Sequence, residues 1–308
     1  MQNDEQRVEI DRRKFLARSA LLGATALGTS IVGLPPVQAG TTSIPWGSIA
    51  QASGGQSMQQ ATIALEQKVG RSFSTIHQRM PWTTPLVNNY SSWGVQTGHT
   101  PILSWFARRP VRWSRIAAGG YDAWITQQAR NLRTAGWSGY FCFHKEPEDE
   151  GNATDWKAAY ARVRQIFSNV GVTNFQWVVC LIASTYRSGS AGPWIPNAPY
   201  DLLGADACNR YRCVGRPWKT FGDLFGAAHD FAVSKNKGLY IIEWGSVEGA
   251  AGQKATWVDD ARDTIKSWPE VVGVSYLHEN SDCNYKIDTS ATALARFRAM
   301  GADPYFQG

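Results

Sequence analysis

Short apolar runs rich in β-branched and aromatic residues alternate along this chain with longer amphipathic stretches of helical periodicity. Such alternation is typical of parallel βα units. Eight of the runs are predicted to be strands: Ile44–Ile49, Phe73–Gln78, Ile102–Phe106, Gly139–His144, Phe175–Leu181, Leu202–Ala207, Leu239–Glu243 and Val271–Leu277. Because no Gly-rich phosphate-binding turn follows the first strand, the pattern favours an α/β fold with a closed (β/α)8 TIM barrel over an open doubly wound sheet.

Six helices are predicted between and after these strands. They are Met58–Val69, Tyr121–Ala135, Asp155–Ser168, Thr220–Ser234, Lys254–Ser267 and Thr289–Met300. Gly136 is placed to end the second of them. The helical pattern is weak between the second and third strands and again after the fifth.

The first 39 residues have a different character. A twin-arginine run at Arg12 and Arg13 precedes an uncharged stretch rich in Ala, Leu and Gly. Val37-Gln38-Ala39 then resembles the small-residue cleavage site at the end of a signal peptide. This pattern predicts a twin-arginine signal peptide over residues 1–39, read by the twin-arginine translocase. A single barrel domain over residues 40–308 would then be secreted or periplasmic in a bacterium. The alternative is an N-terminal anchor helix, although the apolar stretch is short for a membrane span.

Charge and composition narrow the possible partners. The chain has 31 Lys and Arg against 25 Asp and Glu, a net charge of +6, with no block of like charges. A nucleic-acid-binding protein would show a concentrated basic stripe and a reading motif, so nucleic acid is not an expected partner. We expect a monomer.

The cysteines and histidines point to no metal site. The five cysteines are an odd number for an exported chain, and Cys208 and Cys213 are close enough in sequence to bridge a loop. Cys142 and Cys180 lie in apolar runs and are expected to be core residues. The five histidines are scattered singly, and no pair of cysteines has zinc-binding spacing, so no metal is expected.

Two glutamates come at predicted strand ends, Glu146 in Phe143–Asp149 and Glu243 in Leu239–Ser246. Alternation places His144 and Glu146 on one side of the fourth strand, and Ile241 and Glu243 on one side of the seventh. If those sides face the axis, the two carboxylates approach each other across the barrel mouth, which is the minimum apparatus for glycoside hydrolysis. The alternative is a pair of surface or salt-bridged structural acids.

Several motifs resemble glycoside hydrolase family 26 over essentially the whole chain after the predicted signal. They are Trp46-Gly47, Leu103-Ser104-Trp105, residues 116–122, residues 144–148, residues 175–178 and residues 242–246. Known members of this retaining family include β-mannanases and some β-glucanases and xylanases. The resemblance implies a polysaccharide substrate, Glu146 as acid/base, Glu243 as nucleophile and no cofactor.

Two departures from the family pattern bear on activity. Family members usually carry His directly before the acid/base, where it contacts the sugar, but this chain has Lys145 there and His144 one place earlier. Relatives also tend to have Tyr in the sixth-strand motif, where this chain has Cys208; Tyr211 could replace it. These departures motivate a second hypothesis, a barrel that binds polysaccharide with little or no turnover.

Fourteen tryptophans are many for this length. Flat aromatic faces bind the apolar faces of sugars, whereas Trp in barrels also packs helices against strands. Tryptophans at or beyond predicted strand ends are candidates for sugar binding, with Trp244 favoured. The candidate substrate-binding residues are His144, Lys145, Trp46, Trp105, Asn209, Tyr211 and Trp244.

Arginines collect after three of the predicted strands, on the same face as the two glutamates. They are Arg108, Arg109, Arg112, Arg115, Arg187, Arg210, Arg212 and Arg216. Solvated loop charge explains them simply. Because Arg binds carboxylates in a bidentate manner, the alternative is recognition of an anionic polysaccharide.

Overall fold

The computed structural model describes residues 43–308, which form a closed barrel of eight parallel strands. The strands follow one another in sequence order around the barrel, and the last pairs with the first. They are β1 (Trp46–Ala50), β2 (Thr75–Pro81), β3 (Thr100–Phe106), β4 (Gly139–Phe143), β5 (Phe175–Ile182), β6 (Leu202–Asn209), β7 (Gly238–Ser246) and β8 (Val271–His278). The predicted (β/α)8 barrel is confirmed, while the predicted signal peptide lies outside the described residues.

Nine α-helices surround the barrel within residues 43–308. They are α1 (Met58–Val69), α2 (Asn89–Gln96), α3 (Trp113–Ala117), α4 (Asp122–Ala135), α5 (Ala153–Val170), α6 (Ala183–Arg187), α7 (Phe221–Ser234), α8 (Gln253–Ser267) and α9 (Ala291–Ala302). All six predicted helices are present, and the two weakly patterned connections contain the short α2 and α6. None of the helices in this part of the chain has the length and apolarity that crossing a membrane would require.

Local capping explains where α1 and α4 begin or end. Ser57 and Gln60 form a reciprocal capping box at the start of α1, satisfying backbone donors that the first turn leaves free. Gly70 ends α1 and Gly136 ends α4, each at positive φ, a conformation that glycine adopts without steric cost. The Gly136 prediction is therefore confirmed.

The core has two apolar layers. A small cluster made only of strand residues fills the barrel interior: Ile102, Tyr140, Cys142, Val178, Cys180, Leu202, Tyr240 and Ile242. A much larger cluster contains helix residues and the opposite faces of the strands, so it lies between the barrel and its helices. Cys142 and Cys180 are buried in the interior layer, as predicted.

The strand alternation predicted for β7 is wrong at its functional end. Ile241 lies in the outer layer and Ile242 in the interior layer. The β6–β7 register shifts between Ala205 and Asp206, because Ala205 pairs with Ile241 but Asp206 pairs with Glu243. This β-bulge at Ile242 turns Glu243 towards the barrel mouth, although it follows directly after an inward residue.

Methyl groups added at two glycines, Gly273 and Gly226, should change the free energy of unfolding in opposite directions. A Cβ on Gly273 would lie 2.3 Å from the ring of Tyr240, whereas a Cβ on Gly226 inside α7 meets nothing within 4 Å. We expect Gly273→Ala to lower the free energy of unfolding by about 1–3 kcal/mol through overpacking. The control Gly226→Ala should raise it by about 0.5–1 kcal/mol. Urea unfolding midpoints measure both, and equal effects would contradict the packing described here.

Candidate active site

The backbone after β4 brings Lys145 to the barrel mouth. His144 and Glu146 both adopt positive φ, 49° and 55°, which non-glycine residues rarely do. Lys145 lies between them, with its side chain fully enclosed, and the amide of Glu146 donates to the carbonyl of Cys180 on β5. The predicted alternation that paired His144 with Glu146 on one side does not hold, because the chain turns at both residues.

The Lys145 ammonium contacts three carboxylates from three different strands. Its Nζ forms an ion pair with Asp206 at the end of β6, lies 3.2 Å from Glu243 Oε1 and lies 3.4 Å from Glu146 Oε2. Because each glutamate oxygen is so close to one nitrogen, those two oxygens are no more than about 7 Å apart. That limit admits the separation of about 5–5.5 Å that a retaining mechanism uses.

Charge and burial act against each other in this cluster. Burial by itself would lower the pKa of Lys145, but the charges of Asp206, Glu243 and Glu146 outweigh it and raise that pKa well above its usual value. Burial raises the pKa of Asp206, helped by the charges of Glu243 and Glu146 and opposed by Lys145. The ammonium of Lys145 therefore stays protonated despite its burial.

Glu243 is nearly enclosed, with 7 % of its side chain exposed against 32 % for Glu146. Besides Lys145, its Oε1 lies 3.5 Å from Nδ1 of His77 and 3.8 Å from Nε of Arg79, both on β2. Arg79 also pairs with Glu279, the residue after β8. Two positive side chains, Lys145 and Arg79, thus lie beside the Glu243 carboxylate.

His77 is held as a neutral ring beside Glu243. Burial, followed by the charges of Lys145 and Arg79, lowers its pKa well below the usual range. Its Nε2 lies 2.8 Å from the Ser104 hydroxyl. With Ser104 donating to Nε2, Nδ1 carries the proton and faces the Glu243 carboxylate.

Glu146, and not the neighbouring acids of its loop, faces the cluster. Glu148 turns away and accepts a hydrogen bond from the Ile182 amide at 2.8 Å. Burial raises the pKa of Glu148 to about 7. Glu150 pairs with Arg108. The structure therefore separates Glu146 from Glu148 and Glu150, which follow it in the same loop.

The burial of His144 argues against its predicted role in substrate binding. Its ring is fully buried, and Nδ1 accepts hydrogen bonds from the Ala107 amide at 3.1 Å and from Trp113 at 3.3 Å. Burial, aided by the charge of Arg108, lowers its pKa to about 3. This neutral ring holds the loops after β3 and β4 together.

Asn209 is also fully buried, which argues against its predicted contact with substrate. Its amide nitrogen donates to Ser246 at 3.1 Å, and its oxygen accepts from the Lys219 amide at 3.2 Å. It positions the loop after β6.

Tyr211 is half-buried, and its ring lies edge-on to the ring of Trp218. The contacts of Glu243 involve Lys145, His77 and Arg79, and Tyr211 is not among them. Its part in substrate binding stays a prediction.

The three predicted tryptophans, Trp46, Trp105 and Trp244, are fully buried in the outer layer. Trp46 packs on Phe73 and Phe297, and Trp105 stacks on Trp82 with ring centroids 4.0 Å apart. No ring face is left for a sugar, so their assignment to substrate binding is corrected. They pack helices against strands, which was the alternative explanation.

Two clefts flank the carboxylate cluster. The Arg216 cleft, of about 390 Å³, is lined by residues that include Ile182, Arg187, Asp206, Arg210, Arg216 and Lys219. The Arg109 cleft, of about 400 Å³, is lined by residues that include Arg79, Trp82, Arg108, Arg109, Lys145 and Glu146. Each cleft contains a member of the cluster, Asp206 in the first and Lys145 and Glu146 in the second.

A disulfide joins the loops after β6 and β8. It links Cys213 to Cys283, with Cα atoms 5.9 Å apart, whereas Cys208 is a free thiol. The predicted bridge between Cys208 and Cys213 is therefore wrong. Cys208 belongs to β6 itself, and its side chain packs against the cluster of Ile49, Leu277 and neighbouring residues.

Sequence reasoning missed four residues of the site, namely Asp206, His77, Arg79 and Glu279. The signal was present, since each is a charged or titratable residue within or just after a predicted strand. The argument from strand ends that selected the two glutamates applies equally to Asp206 and Glu279.

Among residues 43–308 there is no group of three or more His, Cys, Asp or Glu side chains that could hold a metal ion.

Comparisons with known proteins agree with this architecture. No protein-family model matches the chain. The chain is 26 % identical over 276 residues to Endoglucanase H of Acetivibrio thermocellus, covering 81 % of this chain but only 30 % of that protein. The fold resembles that of a GH26 β-mannanase from Bacteroides ovatus, with a TM-score of 0.60, 12 % identity and 86 % and 90 % of the two chains covered.

A second solved structure extends the likeness. An endo-β-1,4-glucanase from Xanthomonas axonopodis pv. citri gives a TM-score of 0.61 at 12 % identity, covering 83 % of this chain and 98 % of that one. At these identities the structures show the fold alone. The fold of this chain is therefore similar to that of glycoside hydrolase family 26.

The cluster predicts a stability defect that depends on pH. Lys145→Met leaves the buried Asp206 and Glu243 without their shared cation, so we expect a loss of about 3–5 kcal/mol in unfolding free energy at pH 8. Since Lys145 opposes the raised pKa of Asp206, removing it raises that pKa further. Protonation at pH 5 then relieves part of the cost. Urea unfolding at both pH values measures this, with the exposed Lys235→Met as control; a defect independent of pH would contradict it.

The disulfide predicts a sensitivity to reductant. Because it closes a separation of 70 residues, we expect Cys213→Ser to lower the free energy of unfolding by about 2–4 kcal/mol. Dithiothreitol should destabilise the wild-type protein by a similar amount and leave the variant unchanged. Thermal unfolding with and without reductant measures both. A further loss in the reduced variant would show that the effect comes from elsewhere.

Proposed function

We propose that this chain is a retaining glycoside hydrolase that cleaves a β-linked polysaccharide. The observation that carries the proposal is the pair Glu146 and Glu243, on strand ends across the barrel mouth and within about 7 Å of each other through one ammonium. The likeness to an endoglucanase and to β-mannanases supports it. The chain spans about 30 % of the endoglucanase it matches, so the activity itself is part of the proposal.

The environments of the two glutamates suit different roles. In the first step the ionised Glu243 attacks the anomeric carbon, and Glu146 gives its proton to the leaving oxygen. In the second step Glu146 takes a proton from water, the water oxygen bonds to the anomeric carbon, and Glu243 leaves as a carboxylate. Glu243 is enclosed among Lys145, His77 and Arg79, while the more exposed Glu146 borders the Arg109 cleft.

The proposed substrate is mannan- or glucan-like and can carry anionic groups. Basic side chains line both clefts beside the carboxylates, and guanidinium groups bind carboxylates well. In the same proposal the chain is exported by the twin-arginine translocase to act as a secreted or periplasmic monomer, with polysaccharide and not nucleic acid as its partner.

Lys145 supports a second candidate function. Its ammonium lies between the two glutamates, where the anomeric carbon would have to approach. If substrate cannot displace it, the barrel binds polysaccharide with little or no turnover. The two candidates differ in whether the wild-type protein releases reducing ends from a glycan that it binds.

Azide rescue tests the assignment of roles. We expect Glu243→Ala to lose more than about a thousandfold in kcat and Glu146→Ala about a hundred- to ten-thousandfold on aryl β-cellobioside or β-mannobioside. Azide should then give an α-glycosyl azide with Glu243→Ala and a β-glycosyl azide with Glu146→Ala, because only the second retains the nucleophile. Proton NMR identifies the products.

The matched control is Glu148→Gln, since its amide oxygen can still accept from Ile182. It should keep most of the activity. Inversion at the anomeric carbon by the wild-type protein would exclude the retaining mechanism. Binding of cellohexaose or mannohexaose without hydrolysis would favour the second candidate.

A further inference from the structure

We propose that the Arg216 cleft binds the carboxylate of an acidic sugar, so that the substrate is a uronate-bearing β-glycan. This rests on the proposed function, because it names the substrate class of the same site. Four basic residues line the cleft, Arg187, Arg210, Arg216 and Lys219. The one acid that lines it, Asp206, is paired with Lys145. The cleft therefore carries a surplus of positive charge beside the reacting groups.

The basic residues of the cleft differ in what they already bind. Arg210 forms an ion pair with Asp282, and Nη1 of Arg187 donates to the carbonyl oxygen of Asp223 at 3.1 Å. Across residues 43–308, no hydrogen bond or ion pair engages the side chain of Arg216. A guanidinium presents a planar fork of donors that matches a carboxylate. Arg216 is thus the guanidinium of the cleft that is available for a ligand.

The loop that carries Arg216 is fixed at three points. The Cys213–Cys283 disulfide and the ion pair of Arg210 with Asp282 tie it to the loop after β8, and the Lys219 amide donates to Asn209 at its other end. Fixing a loop before binding reduces the ordering cost that binding would otherwise carry. A basic loop whose side chains were only solvated would gain nothing from being held in one conformation by a disulfide, an ion pair and a hydrogen bond.

The cleft also has the shape and surface for a sugar ring. Ile182, Pro217 and Leu224 supply apolar surface, and Asp206 borders the cleft on the side of the carboxylate cluster. A sugar bound here lies next to the bond that Glu146 and Glu243 would cleave. Its carboxylate would then face Arg216, with Lys219 and Arg187 adding positive charge around it.

Isothermal titration with matched hexasaccharides tests the proposal. Glu243→Gln is the parent protein, so that no ligand is consumed. The probes are cellohexaose and its C6-oxidised glucuronate form, and mannohexaose with β-1,4-mannuronate hexamer. We expect the acidic member of one pair to bind about tenfold more tightly than its neutral partner at low salt. The preference should shrink at 0.5 M NaCl, because exposed charges are screened.

Variants in the same loop assign the preference to one residue. Arg216→Gln should remove most of the preference while leaving neutral hexasaccharides unaffected, and Arg216→Lys should keep part of it. The control is Arg212→Gln, because Arg212 lies over the Tyr211 ring and does not line the cleft; it should change neither affinity.

Three results would overturn the proposal: equal affinities within both pairs, an equal loss for neutral and acidic ligands in Arg216→Gln, or equally tight binding of sulfated cellohexaose. Hydrolysis of neutral hexasaccharides by the wild-type protein reports on the proposed function separately. Turnover without an acidic preference would refute this inference alone. An acidic preference without turnover would refute only the enzymatic role.

Discussion

The arrangement of the barrel mouth depends on one buried ammonium. Lys145 neutralises charge on Asp206, Glu243 and Glu146, which come from the ends of β6, β7 and β4. Three carboxylates so close together would repel one another strongly in a site of low dielectric, and an isolated buried lysine would lose its proton. The carboxylate charges raise the pKa of Lys145 despite its burial, and its ammonium in turn contacts all three strand ends and holds them in one geometry.

The fold was predictable because side-chain pattern and backbone agree over most of the chain. Apolar β-type runs and amphipathic helices gave all eight strands and the longer helices within a few residues. Agreement fails where the backbone is irregular. The bulge at Ile242 and the positive φ of His144 and Glu146 leave no mark in the hydrophobic pattern. Those irregularities decide which side chains point into the barrel mouth. Lys145 therefore lies at the centre of the mouth, where alternation placed His144 and Glu146.

Position at a strand end identifies where a residue lies along the barrel axis but not whether it faces in or out. Trp105 and Trp244 are near strand ends, yet both face the helices. For Trp105 alternation alone could have shown this, because Ile102 faces the interior and a residue three positions later faces the opposite way. For Trp244 the expected inward side of Glu243 leads to the same conclusion, because adjacent strand residues point to opposite faces. Large aromatic residues in such barrels fill the wide space between sheet and helices.

The proposed nucleophile and the arginines proposed for recognition are held by different means in this protein. Glu243 and Asp206 belong to strands whose ladder hydrogen bonds fix their backbone. The arginines beside them lie on loops, where the ordering cost of binding is highest. The Cys213–Cys283 disulfide and the buried amide of Asn209 restrain the loop after β6 without adding anything to the sheet. In the proposed enzyme, substitutions in this loop would therefore change the glycan recognised while the carboxylates on the strands keep their positions, because the loop and the strands depend on separate sets of contacts.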